Sequence, residues 1–193
     1  MQRTERILIK PGHPNFGACH RLCGQARRLG NCAVYALRQR FFAKAPLLTR
    51  SELDKTVRSD NAEVYRSMPS AASAQRQTQI VSEQMKSWLK ACASYRKNPE
   101  KFKAHPNLPG YKKRYRSFIV GRNGYKIENH RLYLTGGKEY GFAPIKIRCC
   151  ETQAFNAKIS ETVVGDVRIV PLGNSFVLEL TFECEDAQVE KLK

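Results

Sequence analysis

The clearest chemical reading in the chain is Lys112-Lys113-Arg114-Tyr115-Arg116, four cations set around one aromatic ring. Ammonium and guanidinium groups hold phosphates, and a tyrosine ring offers a face on which a base stacks, so this run suits a nucleic-acid strand. A second set follows helical spacing between Pro69 and Tyr95, where Gln75, Arg76, Gln79, Ser82, Lys86 and Lys90 share the polar side and Glu83 is the one acid. Amides read base edges and cations hold backbones, which suits groove contacts; an ordinary solvated helix face is the alternative. A third set, Arg21, Gln25, Arg28, Asn31, Tyr35, Arg38 and Gln39, recurs on the polar side of an earlier helical pattern. From these sets the candidate backbone contacts are Lys10, Arg28, Tyr35, Arg38, Lys86, Lys112, Lys113, Arg114, Tyr115 and Arg116.

Other chemistries find less support. The seven cysteines (Cys19, Cys23, Cys32, Cys92, Cys149, Cys150 and Cys184) are odd in number and contain no C-x-x-C, which points to reduced thiols in a cytoplasmic protein. His13, Cys19, His20 and Cys23 cluster in sequence, but a second ordered ligand pair for zinc is missing, and small cysteines on the core face of a helix are the default. There is no nucleophile elbow, P-loop, dinucleotide fingerprint or H-E-x-x-H. Gly136-Gly137 reads as a turn. The acids Glu183, Glu185, Asp186 and Glu190 read as a polar tail, not as the embedded carboxylates of a two-metal nuclease. His105, beside Pro106, reads as a surface loop histidine. No catalytic residue and no resident cofactor or metal is expected in this chain.

These residues need elements to position them. Arg3–Lys10 reads as a strand stopped by Pro11-Gly12-His13-Pro14. From Asn15 to about Ala43 the apolar residues Phe16, Leu22, Ala26, Leu29, Ala33, Leu37 and Phe41 recur at three and four, a helix. Thr49 followed by Glu52 has the form of a capping box for a helix over about Arg50–Ser59. Pro69-Ser70 opens another helix, running to about Tyr95 along Ala74, Thr78, Val81, Met85, Trp88, Leu89 and Cys92. After a Pro- and Lys-rich linker the period changes to two. Short strands are expected at 117–120, 125–127, 131–134, 145–148, 163–170 and 175–182, separated by Gly and Asn turns. The expected fold class is α+β: a small antiparallel, OB-like β-barrel closed by the N-terminal strand (1–12 and 105–193), with a helical domain inserted at 13–104.

The charge distribution agrees with a polyanion partner. Among 193 residues, 34 Lys and Arg face 17 Asp and Glu, a formal net charge of +17. Residues 1–50 carry ten cations against one acid, 51–104 ten against six, 105–150 ten against two, and 151–193 four against eight. Two basic blocks with an acidic end argue for a directed binding surface instead of a uniform solubilising coat. No stretch approaches the apolar length of a membrane span, and the first residues are too charged for a signal peptide.

An ordered series of segments resembles the TnpB family, the transposon-encoded RNA-guided nucleases related to type V CRISPR effectors. The series comprises Arg3–Pro11; Asn31, Tyr35, Arg38-Gln39 and Phe41-Phe42; Ala74-Gln75 with Lys86-Ser87-Trp88; Pro99, Phe102-Lys103 and Leu108–Lys112; then Val167–Pro171 and Phe176–Leu180. The resemblance implies a wedge β-barrel interrupted by a helical recognition domain. It implies a guide-type RNA from a transposon end and a double-stranded DNA partner, with association to the nucleoid in the cytoplasm and no membrane. It also implies that a short target-adjacent DNA motif is read at Arg50, around Ala71, Ala72 and Gln75 with Gln79 a turn on, and at Gly121-Arg122-Asn123. Several of these positions hold residue types unlike better-known members, Gln75 being the best retained. The family's RuvC nuclease domain, with its metal-binding acids and zinc ribbon, follows the wedge; this chain ends at Lys193, before that point. The expectation is a module that binds RNA and DNA without cutting, with Mg only where a separate RuvC domain is supplied. A split or truncated RNA-guided endonuclease and a nuclease-lacking transcriptional repressor are the alternatives.

Overall fold

The computed structural model describes residues 2–148 and 165–183. Strand β1 (Gln2–Ile9) is followed by helices α1 (Phe16–Phe42), α2 (Arg50–Asp60), α3 (Ala62–Arg66) and α4 (Ala71–Lys97). Strands β2 (Phe118–Val120), β3 (Tyr125–Glu128), β4 (Arg131–Leu134), β5 (Ile145–Lys146), β6 (Val167–Leu172) and β7 (Ser175–Glu183) come after. The fold is thus α+β with antiparallel sheets; apart from α3, its described elements fall close to the spans expected from periodicity, and positions 163 and 164 of the strand expected at 163–170 lie outside the described residues. Among the described residues no helix is long and apolar enough to cross a membrane.

Local chemistry accounts for the helix starts. Thr49 caps α2 by accepting from the Glu52 amide while the Glu52 carboxylate accepts from the Thr49 amide, the reciprocal arrangement expected. The Thr49 amide holds the Glu52 carboxyl below the usual carboxylate range. Ser70 caps α4 through Ser73 in the same manner. Next to this cap, Gly136 has φ +69°, and a Cβ there would lie 2.0 Å from the Pro69 carbonyl oxygen, so only glycine lets the end of β4 approach the start of α4.

The described strands do not close into one barrel. They form a four-stranded sheet in the order β1-β7-β6-β2 and a three-stranded sheet in the order β3-β4-β5. β1 finds its partner in β7, with eight paired positions from Gln2–Glu183 to Ile9–Phe176. Its other edge faces β5 across a cleft of about 1020 Å³, bridged by the Arg148 amide donating to Glu5 Oε1 at 2.8 Å. At the other seam, β2 is only three residues long and ends in a 3-10 turn at Arg122–Gly124. That turn carries the chain out of one sheet before the next begins.

One buried cluster joins the two halves. Leu22, Leu29 and Leu37 of α1 and Val81 of α4 share it with Phe118, Ile169, Leu178 and Leu180 of the larger sheet. α1 packs against β2, β6 and β7 as well as the other helices. Leu89 departs from the expected apolar line: it is 40% exposed, because α4 has run past the core by that point. Trp88 remains partly covered, with its indole N–H donating to the Pro106 carbonyl and its ring edge-on to Phe41.

Candidate nucleic-acid interface

The site is built on α1. One side of this helix faces the core through Leu22, Ala26, Leu29, Ala33 and Leu37. The next side over holds an extended strap, residues 109–116, which runs antiparallel to the helix. Arg38 Nη1 donates to the Pro109 carbonyl at 3.1 Å. Asn31 donates to the Lys112 carbonyl at 3.0 Å and accepts from the Lys112 amide at 2.9 Å. Arg27 Nη1 donates to the Lys113 carbonyl at 2.8 Å, and the Arg116 amide donates to the Cys23 carbonyl. The helix thereby holds five main-chain groups of the strap, at Pro109, Lys112, Lys113 and Arg116. The side chains of Lys112, Lys113 and Arg114 are left exposed.

The remaining polar side of α1 carries Arg21, Arg28, Tyr35 and Phe42, each two helical turns from the last, which places them in one stripe about 30 Å long. Tyr35 is 56% and Phe42 60% exposed, and Tyr111 of the strap stands near the same end, with Arg38 over both the Phe42 and Tyr111 rings at 5.3 and 5.6 Å. Exposed aromatics beside cations are the elements of a stacking groove.

Among the described residues, Lys10, Arg28, Arg38, Lys86, Lys112, Lys113 and Arg114 form no ion pair, in contrast to Arg6, Arg76 and Lys126. Lys10 stands just past β1 and Lys86 on α4, both exposed, away from the cavity beside the strap. Two strap residues are placed inward. Tyr115 packs its ring edge-on against His20 and Phe176, with Arg114 over it at 5.4 Å. Arg116 is 7% exposed and donates to Gln84 Oε1; burial pushes its pKa down, and no carboxylate among the described residues pairs with it.

Of the residues implied to read a DNA motif, Ala71, Ala72, Gln75 and Gln79 occupy the first turns of α4, and Arg122 and Asn123 the 3-10 turn that packs against that helix, with Gly121 just before it. The structure therefore brings these two groups together. Arg50 opens α2, exposed, on a helix that also packs against α4. Between Gln75 and Gln79, Arg76 binds Asp166 through Nε and Nη2 at 2.9 and 2.7 Å and Glu83 through Nη1. Burial works against its charge, but these carboxylates outweigh it and raise the pKa. Arg76 thus fastens α4 to the residue before β6.

Arg27 was not singled out by sequence reasoning. Its strap-holding role could be sought in the spacing Arg27, Asn31, Arg38, one side of α1, once an extended segment is known to lie there. Cys19 and Cys23 are buried core thiols whose pKa values are pushed up to about 12 by burial, and Cys23 donates to the Ile169 carbonyl. Among the described residues no group of three or more His, Cys, Asp or Glu side chains is arranged to hold a metal ion. Cys149, Cys150, Cys184, Glu185, Asp186 and Glu190 lie outside the described residues, and Glu183 is described only as the last position of β7. No protein-family model matches the chain, and comparison with the curated proteins gives no match.

Proposed function

We propose that the chain is a nucleic-acid-binding module, holding a guide-type RNA and a DNA duplex in the manner of the wedge and recognition portion of a TnpB-like protein, without cutting either. The observation that carries this reading is the α1–strap surface. There Arg28, Lys112, Lys113 and Arg114 stand without acid partners among the described residues, next to the exposed rings of Tyr35, Phe42 and Tyr111. Unpaired cations at that density lower the potential energy of a phosphodiester strand, and the rings give bases a place to stack. The order of elements supports the finer architecture, a wedge-like β half whose first strand, β1, is separated from the rest by a helical insert. Duplex DNA would meet the first turns of α4 and the Arg122–Gly124 turn, with Gln75 exposed to reach base edges.

The test is binding of RNA and duplex DNA over a range of salt. Each phosphate contact contributes about 0.9 to the slope of log K against log salt for duplex DNA and about 0.7 for a single strand. Replacing Lys112, Lys113 and Arg114 together by Ala is expected to lower the slope by about 2 to 3 without changing sequence preference. Absence of salt-dependent binding to either polymer would end the proposal.

A further inference from the structure

Beside the strap lies a cavity of about 420 Å³, floored by α1 and walled by Lys113–Tyr115 on one side and Tyr140 on the other. Its size matches a small ligand, not a duplex. Five cations line it, Arg21, Arg27, Arg28, Lys113 and Arg114, and no Asp or Glu among the described residues does. Arg21 and Arg27 also donate to main-chain carbonyls, at Tyr140 and Lys113, so both guanidiniums are held in place by neutral acceptors that leave their charge uncancelled.

Two features make this more than a basic surface. First, the floor is open at Gly24: a Cβ built there meets nothing within 4 Å, although the residue sits in the middle of a 27-residue helix where glycine costs about 1 kcal/mol relative to alanine. Second, the stripe from Phe42 towards Arg28 runs into an obstruction. The 3-10 turn Gly137–Tyr140 is fastened beside the N-terminal part of α1, with Arg21 holding the Tyr140 carbonyl and the Tyr140 hydroxyl donating to the Ser67 carbonyl. A strand laid along the stripe meets Tyr140 where the cation density is greatest.

Five positive charges around one nucleotide-sized space exceed what an internal phosphodiester, with a single negative charge, would balance. A terminal phosphate monoester carries about −1.5 to −2 at pH 7 and three strong acceptor oxygens. From this we infer that the cavity over Gly24 receives the phosphorylated end of a nucleic-acid strand, with Arg28, Lys113 and Arg114 as the groups that clasp the terminal phosphate. This assignment rests on the nucleic-acid-binding reading above and adds to it a preference for strand ends.

The experiment compares one RNA sequence, about 15 nucleotides long, prepared with a 5′-phosphate, with a 3′-phosphate and with hydroxyls at both ends, by fluorescence anisotropy with the full chain. One phosphorylated form is expected to bind about tenfold tighter than the hydroxyl-ended strand, the equivalent of one additional charge-assisted contact. Gly24→Leu fills the cavity without removing a cation and favours the helix, so it should abolish the end preference while the salt slope for the hydroxyl-ended strand stays unchanged. Arg114→Gln, at an exposed position, should reduce the preference independently. Equal binding of all three forms, with salt dependence intact, overturns the end site and leaves the general reading standing; so does a preference that survives Gly24→Leu. Loss of salt-dependent binding for every form overturns both.

Discussion

Gly30 and Arg116 make a pair whose coupling can be worked out. Gly30 lies in the interior of α1 and is buried, and a Cβ placed on it would come within 2.5 Å of Arg116 Nε, 2.7 Å of Cδ and 3.0 Å of Cζ. Those atoms are the middle of the side chain, not its tip, and Arg116 is enclosed between α1 and Gln84 of α4. For Gly30→Ala the helix gains about 1 kcal/mol in propensity. Against that stand about 1–3 kcal/mol of overpacking and a displaced hydrogen bond from a charged donor, roughly 1.5–3 kcal/mol where it is lost outright. The expected balance is destabilisation by about 1–3 kcal/mol.

In an Arg116→Ala background the obstruction is gone, so the same change should now stabilise by about 1 kcal/mol. The coupling energy of the double-mutant cycle is then about 2–4 kcal/mol, at or above the upper end of the roughly 0.5–3 kcal/mol found for residues in contact. Urea unfolding followed by far-ultraviolet circular dichroism gives all four corners. A coupling near zero, with Gly30→Ala stabilising the parent chain, would refute the claim that glycine is kept at this position to admit the Arg116 side chain.

Three further outcomes are expected. Asn31→Ala removes both bonds to Lys112, costs about 1–2 kcal/mol, and should raise hydrogen exchange at the Lys112 amide; unchanged protection there would show that the strap is held by something else. The Cys19 and Cys23 thiols are raised by burial from 9.0 to about 12, so the folded state keeps protons that the unfolded state loses as pH rises. Their contribution to stability is complete below pH 9 and declines from there up to about 12; at pH 10 it should have fallen by about 1 kcal/mol per thiol, and a Cys19→Ala/Cys23→Ala variant should show a flatter profile in alkaline unfolding. Gln75→Ala should change the preferred base at one position in a randomised duplex library by about 1–3 kcal/mol and leave overall affinity nearly constant; identical preferences in both proteins would remove Gln75 from motif reading.

The helices were legible because each is specified locally. The three-and-four spacing of Leu22, Ala26, Leu29, Ala33 and Leu37 sets the buried face of α1, and Thr49 with Glu52 sets the start of α2. α3 was not anticipated: five residues at Ala62–Arg66 are too few for a periodic pattern, and the helix is fixed by contact, with Tyr65 buried and its hydroxyl donating to Asp54. Strand positions followed from alternation, but barrel closure did not. Whether β1 and β5 pair depends on the path of the chain between distant segments, and alternation in a strand is the same whichever sheet it joins. The site shows the same division. The cations of the strap were visible as residue types, whereas the inward placement of Tyr115 and Arg116 depends on α1 lying beside them. Strand alternation would turn one of these neighbours outward; instead Tyr115 meets His20 and Phe176 while Arg116 meets Gln84, so tertiary packing sets both.

The same side-chain type therefore serves two purposes on α1, and the hydrogen-bond pattern separates them. Arg27 and Arg38 donate to strap carbonyls and fix the path of residues 109–116; Arg28 makes no such bond and faces outward with Lys112, Lys113 and Arg114. Neutral acceptors do not cancel charge, so the framework arginines keep their field while losing their freedom. A strand binding here meets cations already positioned, and less side-chain entropy is lost on association than with free surface lysines. This predicts unequal effects along one helix. Loss of Arg28 weakens binding alone, whereas loss of Arg27 weakens binding and loosens the strap, and protease sensitivity within 109–116 distinguishes the two. If Arg27→Ala and Arg28→Ala proved alike in both binding and proteolysis, the separation into framework and contact residues would have no basis.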